Sequence, residues 1–515
     1  MKTRIILYIF ALSMLLNTGC KLDYDPLGDA YGQQVWSTAK GCEQMLSGAY
    51  SRLRKVLIMD NPMYLYGDLP ASTLLMNNNY VKKQVVEGNY VGSYIASYNW
   101  LDWTSYFQVI NTTNTLLRHL NDVPLSDFDS SEDEAIKKRD RIRGEAYFLY
   151  AYTYFHMVRI YGDLPLVQES FESVEQGLDD GNTIPRIQSS EKEVLQFILK
   201  PIDASISLLT YDKKGDDKWA VQADRAAALT LKAHTLLWLA RDLNNSTEDF
   251  TKYVSEAEKC LDIVMNQSNR TLVNYDNPDN VENMFDGQSS EGIFELHISV
   301  ADNESYRING TSKDPIHTVT WTDASKETLN SIDDYITLDP AKALMLYPSA
   351  DKRRNLFFQN FGNQTDDTYA PPFMLKYAAH VQEDPSDSKY YFANSNVLIF
   401  RLSDCILLRA EALTKLGRHG QAKDLLNLIR ERAGIGKYIG SNSNLIKEIF
   451  EERARELVGE GHSAYDRIRN DYWDGNDFMS EERKAKKGYY WPVDIQRLQS
   501  ANTSLYQVPY WVGKL

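Results

Sequence analysis

Apolar residues recur at spacings of three and four along much of the chain, which is the periodicity of a helix that buries one face. This pattern predicts nine helices, over residues 41–56, 101–120, 132–161, 191–209, 223–242, 251–265, 401–416, 420–432 and 445–468. Segments rich in Asn, Asp, Gly, Ser and aromatic residues separate them and are predicted as loops, at residues 61–98, 266–396 and 472–515, with a short strand over 292–300. We therefore expect a mainly α fold with long irregular loop insertions.

One predicted helix pair has the spacing of the tetratricopeptide repeat, a helix-turn-helix unit of about 34 residues. In CILLRAEALTKLGRHGQAKDLLNLIRERAG, the residues at the repeat's offsets are Ile406, Ala410, Leu413, Gly417, Ala422, Leu426 and Ile429. A looser match combines residues 226–228 with Ala257, Leu261 and Val264. Small residues at the contact let two helices approach closely. Because one pair cannot bury its own apolar face, several must stack, and we expect tetratricopeptide-like repeats in a right-handed superhelical scaffold.

The first twenty residues, MKTRIILYIFALSMLLNTGC, have the layout of a secretory signal. Lys2 and Arg4 form a positive end, and the apolar run over residues 5–16 is shorter than the ~18 residues that a membrane-spanning helix needs. The ending Gly-Cys resembles a bacterial lipoprotein signal, in which the cysteine is lipidated and begins the mature chain. We expect a signal peptide over residues 1–19 and lipidation at Cys20, and a plain secretory peptide is the alternative.

Charge and cysteine content narrow the possible partners. The formal net charge of -15 argues against nucleic acid and anionic lipid surfaces as partners. The four cysteines, at positions 20, 42, 260 and 405, form no CxxC pair and have no metal-ligand spacing. We expect the last three to be small buried residues. The sequence therefore predicts no metal site and no cofactor.

Five blocks of sequence resemble the SusD/RagB family, the surface nutrient-binding lipoproteins of Bacteroidetes. The most characteristic block is GEAYFLYAYTYFHMVRIYGDLPLV, residues 144–167, and the helix before it carries Trp103, Tyr106, Ile110 and Asn114. The later blocks are VLIFRLSDCILLRAEAL with LLNLIRERAG, then EERARELVGEGHSAYDRIRN, and finally WPVDIQRLQSANTSLYQVPYW. These blocks follow one another in the order that the family has.

The resemblance implies one SusD-like body over residues 20–515, made of an N-terminal region (20–265), a loop-rich insertion (266–396) and a C-terminal region (397–515). It also implies a lipoprotein of the outer membrane, anchored through Cys20 and facing the outside of the cell. Such proteins capture an oligosaccharide or polysaccharide and deliver it to a SusC-like TonB-dependent transporter. Some relatives handle peptides, so peptide capture by the same machinery is the alternative. The family is not known for catalysis of its own.

The ligand site is expected in two loop insertions, as the resemblance implies: the first insertion, from residue 61 to Trp100, and the central insertion, over residues 266–396. A sugar ring has a face of C–H groups and a rim of hydroxyls, so a binder needs flat aromatic side chains with Asp, Asn, Arg or Gln beside them. Both insertions have that composition. We predict direct contacts from Tyr98, Asn99, Trp100 and Trp321, with Asp68 and Arg307 as polar partners. The alternative for each aromatic side chain is that it packs its loop onto the core.

A surface glycosidase is the alternative from another class of function. Arg453, Glu456 and Glu460 fall on one face of the helix predicted over 445–468, and paired carboxylates can hydrolyse glycosides. The same spacing is typical of a structural ion-pair ladder, because residues three and four apart meet on a helix surface. The resemblance to non-catalytic relatives favours the ladder.

A nucleophilic triad has no support in the sequence. His156, His234 and His462 lie singly on predicted helices, without a Ser or Cys pattern beside them. Aromatic residues at helical spacing around His156 are more typical of a core than of a cofactor site. The sequence therefore favours a binding protein over an enzyme.

Overall fold

The computed structural model of the chain describes residues 38–60, 63–70, 75–77, 80–91, 95, 100–172, 178–179, 182–183, 186–298, 307–308, 336–359, 361, 373–376, 380–384, 387–393, 395–476, 478–498 and 504–514. Its α-helices are α1 (Ala39–Lys55), α2 (Met63–Gly67), α3 (Tyr80–Val86), α4 (Thr104–His119), α5 (Leu125–Phe128), α6 (Glu132–Tyr161), α7 (Glu191–Leu208), α8 (Arg225–Ala240), α9 (Glu248–Gln267), α10 (Pro278–Asp286), α11 (Pro340–Leu346), α12 (Arg353–Leu356), α13 (Leu402–Lys415), α14 (His419–Arg432), α15 (Leu445–Glu456), α16 (Ser463–Asn470), α17 (Glu481–Ala485) and α18 (Ile495–Leu498).

The strands are short and pair in small antiparallel sheets. They are β1 (Leu75–Asn77), β2 (Leu164–Pro165), β3 (Leu178–Asp179), β4 (Asn182–Thr183), β5 (Gln188–Ser189), β6 (Gly292–Leu296), β7 (Arg307–Ile308), β8 (Ile336–Leu338), β9 (Phe358–Gln359), β10 (Phe373–Met374), β11 (His380–Asp384), β12 (Asp387–Ala393) and β13 (Val397–Arg401). The pairs are β1 with β8, β2 with β5, β3 with β4, β6 with β13 and β9 with β10, and β12 lies between β11 and β7. The fold is therefore mainly α, as predicted.

The long helices pack against one another largely in chain order. Helix α1 packs on α4 and α6, α6 on α7, α7 on α8, and α8 on α9. The next long helix in the stack, α13, follows the central insertion in the sequence. Helix α9 packs directly on α13, which in turn contacts α14 and α15. The helices of each predicted pair, α8 with α9 and α13 with α14, pack against each other, and Ala226, Ala257, Ala410 and Ala422 on them are fully buried.

Local sequence signals explain where the central helices begin and end. Three acidic residues in the first turn of α6 complement the helix dipole, and the helix ends at Gly162, whose φ of 74° is readily adopted only by glycine. Helix α7 begins with a capping box, in which the Ser190 hydroxyl and the Glu193 carboxylate satisfy each other's backbone N–H groups. The C-terminal half of α6 is buried on nearly all sides, so its aromatic residues form core, as predicted.

The central insertion leaves and rejoins the scaffold at one place. Strand β6 pairs antiparallel with β13, and Leu296 lies opposite Val397 in their register. The strand predicted over 292–300 is thus confirmed, although it ends at Leu296. Because the two ends of the insertion are paired, its length does not interrupt the stack of helices.

Two predictions about local structure are wrong. The helix predicted over 445–468 is broken between α15 and α16, where Gly459 and Gly461 adopt positive φ angles of 76° and 79°. Gly67 approaches this turn so closely that a Cβ at Gly67 would lie 2.2 Å from the Gly461 carbonyl oxygen. The segments 61–98, 266–396 and 472–515, predicted as loops, also contain short helices, which are α2 and α3 in the first, α10 to α12 in the second and α17 and α18 in the third. Tertiary contacts outweigh the local pattern in both cases.

The three cysteines within the described residues, Cys42, Cys260 and Cys405, are buried and free, as predicted. Burial raises the pKa of the Cys42 thiol to about 11 and that of Cys260 to about 12, so both stay protonated at neutral pH. None of the helices in the described part of the chain combines the length and hydropathy that crossing a membrane requires.

Candidate functional site

Most of the predicted ligand contacts lie outside the part of the chain that the structure describes. Tyr98, Asn99 and Trp321 are outside the described residues, as is the predicted lipidation site Cys20. Arg307 begins strand β7, which pairs with β12 at Phe392, but only its backbone is described. Their roles in ligand binding therefore stay predictions.

Trp100 lies in the protein core, with 6% of its surface exposed. Its carbonyl oxygen accepts hydrogen bonds from the hydroxyls of Tyr66 and Tyr161, at 2.8 and 3.1 Å. These bonds join the segment before α4 to α2 and to the end of α6. A side chain with so little exposed surface is not accessible to a ligand in this conformation. The structure thus agrees with the alternative reading, in which an aromatic side chain packs its loop onto the core.

Asp68 is also buried, with no exposed surface. Its Oδ2 accepts a hydrogen bond from the backbone N–H of Gly461 at 2.6 Å, while its Oδ1 has no hydrogen-bond partner among the described residues. Burial raises the pKa of this carboxyl to about 7, although the Gly461 N–H favours the charged form. In this conformation Asp68 fastens the first insertion to the turn between α15 and α16.

Glu456, the last residue of α15, lies at the centre of a buried charge cluster. Its carboxylate accepts hydrogen bonds from Arg353, Arg401 and Arg432 at 2.9, 2.8 and 2.7 Å, and from the Tyr275 hydroxyl at 2.6 Å. Burial alone would raise the pKa of Glu456, but the three guanidinium groups hold it well below its ordinary value. The carboxylate is therefore ionised and fully partnered.

Glu460 joins the same cluster from the turn after α15. Its carboxylate accepts hydrogen bonds from Arg401 at 2.7 and 2.9 Å and from the Lys376 ammonium group at 2.5 Å. Burial raises and these two cations lower the pKa of Glu460, and the net effect is a lowered pKa. Burial also lowers the pKa of Lys376 to about 8. Because Lys376 belongs to the central insertion and Arg401 to β13, the cluster connects the insertion to the helical repeats.

These two glutamates lack the properties that glycoside hydrolysis needs. The reaction requires one carboxyl with a raised pKa to serve as the acid, and both carboxyls must reach the substrate. Glu456 and Glu460 are both buried, and the pKa of each is lowered. The structural interpretation is therefore supported, but not as a ladder on one helix. The helix ends at Glu456, and the partners of Glu456 come from four separate segments.

His234 and His462, which lie far apart in the sequence, are neighbours in the structure. The Nε2 atom of His234 lies 2.8 Å from the Asp404 carboxylate, and the His234 ring stacks on His462 with centroids 6.0 Å apart. Burial lowers the pKa of His462 to about 4, so its imidazole is neutral. Arg453 also donates to Asp404, at 2.8 Å. Within the described residues, neither imidazole is hydrogen-bonded to a serine or cysteine side chain.

Sequence reasoning missed that the turn over residues 457–462 organises this region. Asp68 from the first insertion and Lys376 from the central insertion both bind there, at Gly461 and Glu460. The sequence does carry a signal, because the glycines in VGEGHS interrupt the helical pattern. Neither long-range contact can be read from spacing along the chain.

Two family profiles match the chain in sequence order. A profile described as starch-binding and associating with the outer membrane matches residues 43–237, and the profile of the SusD family matches residues 301–511. The two matches fall on either side of β6. Together they include both the first helices of the stack and the C-terminal repeat.

Individual relatives match over nearly the full length. SusD-like protein P38 of Formosa agariphila is 23% identical over 505 residues, which cover 90% of each chain. A solved structure of a SusD homolog from Bacteroides thetaiotaomicron has a TM-score of 0.76 at 23% identity and covers 92% of this chain and 98% of that one. The structure of NanU from B. fragilis has a TM-score of 0.69 at 21% identity, covering 94% and 99%. The solved structures thus have the same fold.

Proposed function

The chain belongs to the SusD-like family, and from this membership we propose that it captures glycans at the outer face of the outer membrane. In this proposal it is held there by lipid at Cys20 and delivers an oligosaccharide or polysaccharide to a SusC-like TonB-dependent transporter. The observation that carries the proposal is the match of two profiles of this kind to successive parts of the chain, one of them described as starch-binding.

The proposed ligand site lies in the two insertions. Tyr98, Asn99, Trp321 and Arg307 are its proposed contacts, because they combine flat rings with hydrogen-bonding side chains. Trp100 and Asp68 support the site from within the core, since both hold the first insertion against the helices. Loops carried by a rigid scaffold are a common location for binding sites.

The proposal includes that the protein binds its ligand without catalysing a reaction on it. Members of the SusD-like family are binding proteins, and the carboxylates that the glycosidase alternative would use, Glu456 and Glu460, are held in buried ion pairs. A buried carboxylate that is already ionised and partnered cannot protonate a glycosidic oxygen. We therefore expect the ligand to leave the protein unchanged.

Affinity electrophoresis on a panel of polysaccharides tests this function. The wild-type chain should migrate more slowly in a gel that contains its glycan, and a reducing-sugar assay should detect no product. Trp321→Ala should abolish the retardation if that ring contacts the ligand, and retardation that survives would remove Trp321 from the site. A chain retarded by no polysaccharide but bound by peptides would support the peptide alternative. Sugar release that depends on Glu460 would identify a hydrolase.

A further inference from the structure

The helical scaffold contains an open groove of about 530 Å³, apart from the two insertions. It lies where the C-terminal ends of α8, α13 and α16 meet the segments that carry Trp473 and Tyr489. We call it the Trp473 groove, and the residues that matter for its chemistry are Arg241, Asp242, Asn245, Lys415, Trp473 and Tyr489. Its volume is in the range of small-molecule sites, which are about 300–1,000 Å³.

Two aromatic rings line one side of the Trp473 groove. The rings of Trp473 and Tyr489 are nearly parallel, at an interplanar angle of 23°, with centroids 6.3 Å apart. Trp473 donates its indole N–H to the Asp471 carboxylate at 2.7 Å, which fixes the ring's orientation. Asp471 caps the C-terminal end of α16 in a left-handed conformation, with φ of 48°, which is common where helices end. Both rings are half-buried, so each keeps some surface open to the groove.

Charged groups held in fixed positions lie beside these rings, since the Arg241 guanidinium is 5.8 Å from the centroid of the Tyr489 ring. The Arg241 side chain is only 5% exposed, and its guanidinium donates to Glu191 at 3.1 Å and to the Tyr490 hydroxyl at 3.0 Å. It also binds both carboxylate oxygens of Asp242, whose side chain is 65% exposed. Burial raises the pKa of Asp242, whereas the Arg241 guanidinium lowers it. The net effect is a pKa below the ordinary value. An ionised, orientationally fixed hydrogen-bond acceptor therefore faces the solvent side of the groove.

The Trp473 groove also contains hydrogen-bonding capacity that the protein does not use. Asn245 is exposed and makes no side-chain hydrogen bond within the part of the chain that the structure describes. Its amide can both donate and accept. Lys415 has one ion-pair partner, Glu411, at 3.1 Å, although an ammonium group has three N–H donors. These groups can serve a ligand without breaking an existing contact.

The chemistry of the Trp473 groove favours a neutral sugar ring over other occupants. The cations of the groove already have carboxylate partners, Arg241 with Asp242 and Lys415 with Glu411, so a charged ligand gains little. An apolar peptide helix would need a mainly apolar groove, whereas this one has carboxylate, guanidinium, ammonium and amide groups around two rings. Near-parallel aromatic faces with fixed acceptors beside them match the C–H face and hydroxyl rim of a pyranose.

We propose that the Trp473 groove is a second saccharide-binding site, located on the helical scaffold and separate from the insertions. It takes one or two neutral sugar units, with Trp473 and Tyr489 contacting the ring face and Asp242 and Asn245 binding hydroxyls. This inference rests on the proposed function, since it concerns the same class of ligand. A glycan long enough to reach both sites would gain affinity through multivalency.

Affinity electrophoresis with a polysaccharide that retards the wild-type chain tests the second site. We expect Trp473→Ala and Asn245→Ala each to weaken binding, the first by about tenfold because it removes the ring face. Asn245→Ala protects the test against misfolding, because Asn245 is exposed and its side chain makes no hydrogen bond to any residue that the structure describes. Tyr253→Ala is the matched control, because Tyr253 is a half-buried ring on α9 outside the groove, and it should bind as the wild type does.

The outcomes separate this inference from the proposed function. Unchanged binding in both groove variants, each confirmed as folded by circular dichroism, would overturn the second site and leave glycan capture intact. Weakened binding in the groove variants with normal binding in the control supports it. Equal weakening in Tyr253→Ala would contradict a local site. A wild-type chain that no polysaccharide retards would overturn the proposed function, and the second site with it.

Discussion

The charge cluster around Glu456 and the Trp473 groove are built from the same kinds of residues and differ in what those residues can still bind. In the cluster, every oxygen of Glu456 has a partner within the chain, and Arg353 and Arg401 are fully buried. In the groove, Asp242 is ionised but exposed, and Asn245 has no side-chain partner among the described residues. The first arrangement holds segments together, whereas the second is open to a ligand.

The comparison explains why residue type alone does not locate function. Carboxylates beside guanidinium groups and aromatic rings occur in both places, and the sequence gives the more regular spacing to the structural one. Burial and partnering decide the role, because a side chain that is enclosed and fully hydrogen-bonded has nothing to offer a substrate. Four substitutions test this difference, and they follow in order of decreasing expected effect on stability.

Glu456→Gln should give the largest loss of stability. It removes the charge that Arg353, Arg401 and Arg432 share, and removing one partner from a buried ion pair costs about 3–5 kcal/mol. Chemical denaturation followed by circular dichroism measures the free energy of unfolding. The control is Glu482→Gln, which removes an exposed pair with Lys486 and should change stability little. Equal effects in the two variants would contradict a structural role for the cluster.

Asp68→Asn should stabilise the protein at high pH. The pKa of Asp68 is about 7 when folded and about 3.9 in an unfolded chain, so the folded state binds this proton more tightly. The stability that the proton provides is complete below pH ~4 and is lost as the pH rises through 7. The variant lacks this loss, so its advantage should grow from pH 4 to 8, to on the order of 3 kcal/mol.

Denaturation of wild type and Asp68→Asn at pH 4, 6 and 8 measures this dependence. The difference between the two proteins isolates Asp68 from other groups that titrate in the same range, such as Glu295, whose pKa burial also raises to about 7. A difference in stability that does not change between pH 4 and 8 would show that Asp68 is not a buried acid.

Gly67→Ala should destabilise the contact between the first insertion and the turn after α15. The added Cβ would lie 2.2 Å from the Gly461 carbonyl oxygen, and backbone cannot move aside cheaply, so we expect a cost of about 1–3 kcal/mol. The matched control is Gly48→Ala in α1, where a Cβ meets nothing within 4 Å and helix propensity favours alanine. The two melting temperatures should move in opposite directions. A shared direction would contradict the close approach.

Asn245→Ala should have the smallest effect on stability, within about 0.5 kcal/mol, because the side chain is exposed and makes no hydrogen bond among the described residues. The melting temperature of the Asn245→Ala variant measures this effect on stability. A large drop would place Asn245 among the structural residues and remove it from the Trp473 groove. The same protein sample then serves for glycan binding, so stability and affinity are compared in one variant.

Much of the fold follows from the sequence because helical periodicity is a local property. Helix α6 begins and ends where the pattern predicts, and the small residues Ala410 and Ala422 are buried in one core cluster. The break after Glu456 has a local signal in Gly459 and Gly461, but the close approach of Gly67, almost 400 residues away in the chain, has none. Local periodicity carries no information about such approaches.

The site is less predictable than the fold. Composition marked both insertions as rich in rings and amides, but it could not distinguish Trp100, which is buried, from a ring open to ligand. Trp473 and Tyr489 lay in a segment predicted only as loop, and their near-parallel arrangement depends on where two separate segments fold together. Which residues bind is therefore a question of packing that spacing does not answer.

Equilibrium dialysis against an oligosaccharide, taken from the glycan that retards the chain, tests whether the protein captures glycans without hydrolysing them. The bound sugar is released by denaturing the protein and its chain length is measured by chromatography. Capture without chemistry predicts saturable binding and full recovery of the oligosaccharide at its original length. The absence of saturable binding, or recovery of shortened chains, would contradict a glycan-capturing protein whose buried carboxylates are structural.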